Sequence, residues 1–402
     1  MDQLARSSAP AVVEFDPYSY AMHEDPYPTY RRLRAEAPVY RNERLGFWAL
    51  SRYADVLAAF KDPLRYSNAQ GVSLERSSAA QASAVASFLA MDPPRHDEIR
   101  ALVSRGFTPR RVADLEPRIR ALAVAHLDRV AARGRCDAIQ DFAARLPMDV
   151  VSELLGVPPG DRDALRSWAD TVVHRDEGDS GIPAAAYAAT GNLLAYFREL
   201  VAARKSAPQA DLVSALLALE PEALEEGEIV AFLFLMIIAG NETTTKLIGN
   251  ALYWLWRNPP QREHVRRAPV LIPNWIEETL RYDGSTQMLA RTVTRDLTLH
   301  GCRLRTGDRV LLLVGAANRD DRVFADPDRF DIHRDTSQHL AFGKGTHFCL
   351  GAALARLEAR VALEELTARL PDFAIDTAGL ARVHSPNVRG FAALPITFSA
   401  RA

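Results

Sequence analysis

Apolar residues recur every three or four positions through the middle of the chain, the spacing that gathers them on one face of an α-helix. This pattern predicts helices over residues 115–132, 148–155, 184–204, 228–257 and 274–281. The helix 228–257 is the longest and most apolar, and Pro259-Pro260 marks its end. Asp92 before Pro93-Pro94 predicts another helix start, with the acid as N-cap and proline in the first turn. A further stripe of Leu350, Leu354, Leu357, Val361 and Leu370 runs down to Pro371. Short β-type runs sit near the two ends, at 39–50 early and at 290–299, 309–313 and 393–398 late. Strands from both ends need each other as partners. The pattern therefore predicts a mainly α fold with a small β portion, one domain over 1–402, with 1–15 disordered.

Composition narrows the function classes. Lysine plus arginine is 49 against 51 acids, a net charge of −2, which removes the electrostatic argument for a nucleic-acid binder. Cys136, Cys302 and Cys349 are too few for a disulfide framework. Residues 1–17 lack the basic-then-apolar order of a secretory leader. The longest apolar run, 229–239, falls short of the roughly 20 residues that cross a bilayer. The expectation is a cytoplasmic chain with neither nucleic-acid nor membrane partners.

The candidate chemistry centres on Cys349. Glycines at 343, 345 and 351 surround it, and the helical stripe follows immediately, so it sits in a tight turn before a helix N-terminus. Orphan amides and the helix dipole there favour an anion and are expected to lower the thiol pKa. Glycines also let the backbone approach a flat ligand. A thiolate held this way suits iron.

These residues resemble a known family. Phe342-x-x-Gly345-x-x-x-Cys349-x-Gly351 is similar to the haem-ligand loop of the cytochromes P-450, and four further segments match in order between residues 16 and 399. The resemblance implies the fold of that family, with haem b between the long central helix and the cysteine loop, and Cys349 as the iron ligand. Phe342, Gly343 and Gly351 shape the loop. It assigns His96 and Arg100, four apart on one helix face, together with Arg291 and His347, to the haem propionates. Guanidinium forks suit carboxylates and keep their charge. Glu278 and Arg281 resemble a structural helix pair completed by Arg329.

Within the long helix, Ala239, Gly240, Glu242 and Thr243 resemble the family's dioxygen groove. A glycine and three hydroxyl residues are otherwise poor choices for a helix centre. The plain reading is hydroxyls bonding back to the preceding turn. The resemblance adds local widening for dioxygen, with the Glu242–Thr243 pair delivering protons.

The implied activity is that of a monooxygenase. It inserts one oxygen atom from dioxygen into a lipophilic substrate, by hydroxylation or epoxidation, with electrons from a separate ferredoxin and its reductase. Arg105, Arg110, Arg111, Lys344 and Arg356 are candidate contacts for that partner. Alignment to the family places Leu235, Ile238, Ala239, Gln287, Leu289, Asn387 and Val388 around the substrate. Residues 67–88 read as a mobile lid, and 174–183 as a flexible loop at the entrance. A polyketide, macrolide or terpenoid of secondary metabolism is the first expectation, and a fatty acid or steroid the second. A peroxide-driven haem-thiolate enzyme and a haem-thiolate sensor are the competing readings.

Overall fold

The computed structural model describes residues 13–75, 79–219 and 223–400. Strands from the two ends build one five-stranded sheet, in the order Val39–Asn42, Phe47–Leu50, Arg309–Leu313, Met288–Val293 and Tyr66–Ser67. A hairpin of β1 (Val39–Asn42) and β2 (Phe47–Leu50) pairs Val39 with Leu50 and Asn42 with Phe47. The helix α1 (Tyr53–Lys61) then leads to β3 (Tyr66–Ser67). From the far end come β4 (Met288–Val293) and β5 (Arg309–Leu313). β2 runs parallel to β5, which pairs antiparallel with β4. Every residue of β5 is buried, as expected of a strand covered on both faces.

Alternation along the strands sorts the side chains. Met288 and Ala290 of β4 face a cluster with Phe15, Tyr30, Phe47 and Leu311. Leu289 and Val293 face the other side, with Phe60, Val310 and Leu312. Period-two geometry therefore aims Arg291 toward Phe60, whose ring centre lies 5.5 Å from the guanidinium carbon. Val13 and Phe15 are both buried, so the disorder expected through residue 15 does not reach 13–15, and 1–12 lie outside the described residues.

The helical body comprises α2 (Arg95–Ser104), α3 (Arg145–Leu155), α4 (Arg162–Val173), α5 (Ala184–Ser206), α6 (Glu226–Arg257), α7 (Ile272–Asp283) and α8 (Ala352–Arg369). Helix α6 runs through the centre against α3, α4, α5, α7 and α8. It is long and apolar enough to cross a membrane, yet most of its apolar stretch is buried inside the fold. A capping box between Glu225 and Glu228 starts it two residues before the predicted position.

One predicted helix start is displaced. The helix assigned to Asp92 begins at Arg95, and the Asp92 carboxylate instead accepts from Ser67 Oγ at 2.5 Å and Asn68 N at 2.8 Å. The acid ties the end of β3 in place rather than capping α2.

Candidate active site

The loop before α8 is shaped by backbone bonds. Gly343 N donates to Leu340 O at 2.8 Å, Phe348 N to Gly345 O at 3.0 Å and Cys349 N to Phe342 O at 3.0 Å. Gly345 adopts φ +72°, and a Cβ there would lie 2.6 Å from Phe60 O, so only glycine fits. At Gly351 a Cβ would meet nothing within 4 Å, so this backbone borders open space.

Cys349 is exposed, as is Phe348, although protein surrounds the thiol. That combination belongs to a group on the wall of an interior space. In the protein alone, burial pushes the thiol above its ordinary value, outweighing the Gly351 amide, Arg100 and Arg356. The expected lowering is therefore reversed: desolvation of the thiolate exceeds the help from the helix end. A cation bound at sulfur would supply the missing compensation.

Helix α6 supplies the facing wall. Most of it is buried, but Leu235, Met236, Ile238, Gly240 and Thr243 are half-buried and Ala239 is exposed. An exposed alanine midway along a core helix means that this face borders open space. Leu350, next to Cys349, packs in the same cluster as Leu235 and Ile238, so loop and helix bound one region. Of the three threonines only Thr243 reaches this face. Its Oγ1 donates to Ala239 O at 2.7 Å, while Thr245 Oγ1 donates away, to Ala143 O at 3.2 Å. The back-bonding reading thus holds geometrically, and the Thr243 oxygen keeps its lone pairs for another donor. The helix stays α-helical throughout, so the expected widening is not a break.

Beside the loop, four basic groups converge, and among the described residues only His96 has a carboxylate partner, Asp97. His96 is fully buried, its Nδ1 2.7 Å from Asp97 Oδ1 and its Nε2 without a partner among the described residues. The His347 ring lies 4.2 Å from it, with neither nitrogen bonded. Burial first, then His96, Arg291 and Arg100, pushes His347 down to about 2. His347 is neutral in the protein alone and offers its ring nitrogens as hydrogen-bonding groups rather than as a charge. Arg100 donates to Phe348 O at 2.5 Å. Buried Arg291 donates to Ala290 O at 2.8 Å and forms no ion pair among the described residues. Its pKa is pushed down to about 10 by burial and by neighbouring Arg309, with Asp92 opposing. A buried, unpaired guanidinium is costly unless an anion arrives. A group bearing carboxylates beside Cys349 fits this cluster, as the haem propionates require.

The structural network forms with one substitution of partner. Arg281 Nε and Nη2 bind both Glu278 oxygens at 2.7 Å, with both side chains fully buried. Arg329 does not join through its side chain, which is 67% exposed and pairs with Asp331 at 2.7 Å; only its carbonyl accepts from Arg281, at 3.3 Å. The arginine that reaches Glu278 is Arg334, 10% exposed, with Nε 3.4 Å from Oε1. Asp331 N also donates to Glu278, at 2.8 Å, and this turns the chain so that the later arginine faces inward.

Two pocket assignments change. Gln287 precedes β4, so strand alternation does not extend to it; its Nε2 donates to Gly284 O at 2.8 Å and its side chain packs over Gly315. Together with Val388 it borders a narrow crevice near Met22, His23 and Tyr30, on the opposite side of the sheet from Arg291. Asn387 is half-buried, and its carbonyl accepts from Gln287 N at 2.9 Å. Leu235, Ile238 and Leu289 remain half-buried.

The two segments read as mobile are tied together. Residues 79–86 form a helix against α6, and 76–78 lie outside the described residues. Arg175 is buried, binding Glu75 at 2.9 Å, Val172 O at 3.0 Å and His174 O at 2.7 Å. Arg356 is also engaged: it grips Glu277 at 2.6 and 2.9 Å, which removes it from the free basic surface.

Sequence reasoning missed Asp170, which lies against Glu242. The signal was present, since Leu165, Trp168, Ala169 and Val172 keep helical spacing along α4.

Comparison with known proteins agrees with this geometry. Residues 189–370 match the family described as Cytochrome P-450. Cytochrome P-450 123 of Mycobacterium tuberculosis is 54% identical over 390 residues, 96% of this chain and 97% of that protein. Cytochrome P-450 monooxygenase PikC of Streptomyces venezuelae is 38% identical over 405 residues, 98% and 96% of the two. The solved structure of CYP109E1 from Bacillus megaterium in complex with testosterone superposes with a TM-score of 0.88 at 33% identity, over 95% of this chain and 100% of that one.

Proposed function

The chain belongs to the cytochrome P-450 family, and on that premise we propose that it oxygenates a lipophilic product of secondary metabolism, a polyketide, macrolide or terpenoid. Family members are oxygen-incorporating oxidoreductases that bind haem b through a cysteine thiolate. Bound haem with that ligand supplies dioxygen activation and transfer of one oxygen atom to carbon.

The observation that carries the assignment of residues is Cys349 on an open interior wall beside Arg100, Arg291 and His347, which form no ion pair among the described residues. Cys349 holds the iron; Phe342, Gly343 and Gly351 form its loop. His96, Arg100, Arg291 and His347 hold the propionates. Ala239 and Gly240 would leave room beside the bound group on the open face of α6, and Leu235, Ile238 and Leu289 would give the substrate an apolar wall. Thr243 offers its oxygen to a passing proton, and Glu242 supplies that proton from behind. This pair favours the dioxygen-using form over a peroxide-driven enzyme, which needs no relay.

The chain works as one cytoplasmic domain, and electrons come from a separate ferredoxin with its reductase. Exposed Arg105, Arg110 and Arg111, with half-buried Lys344 in the cysteine loop, suit an acidic partner. The testosterone held by the Bacillus megaterium relative favours a steroid as the second substrate reading.

The test is the absorption spectrum of reduced protein with carbon monoxide, followed by screening compounds for substrate-induced spin shifts. A red-shifted Soret band supports the reading, and haem without that shift rejects it. Thr243→Ala is expected to lower product per electron roughly tenfold or more, with hydrogen peroxide released instead. Unchanged coupling would reject the relay. Arg291→Ala is expected to speed haem loss to an acceptor protein roughly tenfold, the effect of one charge-assisted bond, while the haem-free chain becomes no less stable.

A further inference from the structure

The chain after β3 leaves the sheet edge and returns to it beside Arg291. Tyr66 pairs with Val293 and Ser67 with Thr292, so a regular register would bring Ala69 opposite Ala290. Ala290 N donates instead to Val72 O at 2.7 Å, and the intervening residues bulge out of the ladder. They form a turn in which Gly71 N donates to Asn68 O at 2.8 Å, with Gly71 at φ +82°. Asn68 Nδ2 donates to Leu89 O at 2.9 Å. The bulge thus runs along β4 next to the two residues, Leu289 and Arg291, that flank Ala290.

Arg309 holds this bulge from the other face of the sheet. It opens β5 opposite Thr292, and period-two geometry puts it on the side of Leu311, away from Leu289 and Arg291. Its side chain is 1% exposed. Nη1 donates to Thr292 Oγ1 at 2.8 Å, while Nη2 reaches Gly71 O at 3.2 Å and also Ser73 O. Thr292 Oγ1 donates onward to Gln70 Oε1 at 3.3 Å. A planar fork meets several acceptors at fixed angles, which a single ammonium cannot reproduce. At the far end of the segment Glu75 is tied to Arg175 of the entrance loop at 2.9 Å. Residues 70–75 are therefore anchored at both ends, and the first part of the segment read as a lid is a fixed wall.

We propose that Arg309 is a positioning residue for the oxygenation, its guanidinium fixing residues 70–73 against β4 as a preformed wall of the substrate space. The inference rests on the reading of Leu289 as a substrate contact and of Arg291 as a propionate contact. Arg309 touches neither substrate nor haem and acts through Thr292 and the bulge. A wall that is already ordered spares an arriving ligand the cost of ordering it. Loss of the fork therefore weakens a ligand large enough to reach the wall and spares a small one that stops at the iron.

The test uses the holoenzyme of wild type, Arg309→Met and Arg309→Lys, with imidazole and 4-phenylimidazole as probes that both bind haem iron but differ in reach. Spectral titration of Arg309→Met is expected to show 4-phenylimidazole bound roughly tenfold more weakly and imidazole unchanged. Hydrogen exchange of the 70–73 amides is expected to quicken roughly tenfold in the same variant, with the rest of the sheet unaltered. Arg309→Lys keeps the charge without the fork and should behave like Arg309→Met. Wild-type behaviour in Arg309→Lys makes charge alone the cause and overturns the positioning role. Unchanged exchange at 70–73, or equal weakening of both probes, overturns it as well. Gly71→Ala is the second variant, because a side chain at φ +82° strains the turn and leaves Arg309 in place. It should separate the two probes in the same direction, and wild-type affinity for both rejects the wall. Failure of the underlying reading looks different: neither probe shifts the Soret band, while residues 70–73 still exchange faster in Arg309→Met.

Discussion

Cys349→Ala is expected to fold, to lose the red-shifted carbon monoxide band, and to lose oxygenation by at least about a thousandfold, or about 4 kcal/mol of barrier. The fold should survive because Cys349 lines an interior space and alanine only removes the sulfur, leaving a smaller apolar side chain in its place. The loop is held instead by Cys349 N on Phe342 O, Gly343 N on Leu340 O and the approach of Gly345 to Phe60 O, none of which needs sulfur. The chemistry should not survive. The thiolate is the one anionic ligand that this wall offers, and alanine leaves the iron to water. Carbon monoxide difference spectra, thermal melting and product assays on the same preparation settle the matter. A persistent thiolate band would mean that another residue binds the iron.

Glu278→Gln is expected to be the most destabilising of the conservative changes, by about 3–5 kcal/mol. Both oxygens of Glu278 bind Arg281 at 2.7 Å in a site closed to water, and one also faces Arg334 and the Asp331 amide. An amide can accept but carries no charge, so two buried guanidiniums lose their counter-ion at once. The same network separates two candidates for its third member. Arg334→Ala should cost about 2 kcal/mol or more, since its guanidinium also holds the carbonyls of Asp326 and Arg329 at 3.0 and 3.1 Å. Arg329→Ala should stay within about 0.5 kcal/mol, as an exposed ion pair does. Shifts of the denaturant midpoint at constant slope measure all three. Equal costs at 329 and 334 would reverse the assignment.

The Asp326-Pro327-Asp328-Arg329-Phe330 stretch shows why the sequence led to the wrong arginine. A residue type at the right distance along the chain is readable, but which of two nearby arginines turns inward depends on a turn fixed by Glu278 itself. The same limit appears at Gln287, which the resemblance to the family places at the pocket, while the chain before β4 turns it toward Gly284 and Gly315.

Sequence alone determined the features that are local. Helical periodicity placed α5, α6 and α8, the glycine-framed Cys349 turn stood out from its neighbours, and the two-ended distribution of β-type runs called for a shared sheet. These follow from side-chain spacing and backbone freedom, which need no distant partner. Tertiary structure decided what depends on proximity between remote segments. It made Cys349 costly to ionise without a cation, left Arg291 without an ion pair among the described residues, tied Glu75 to Arg175, and set Asp170 against Glu242, 72 positions further on by number. Electrostatic energies vary with separation and burial, and both are properties of the folded chain.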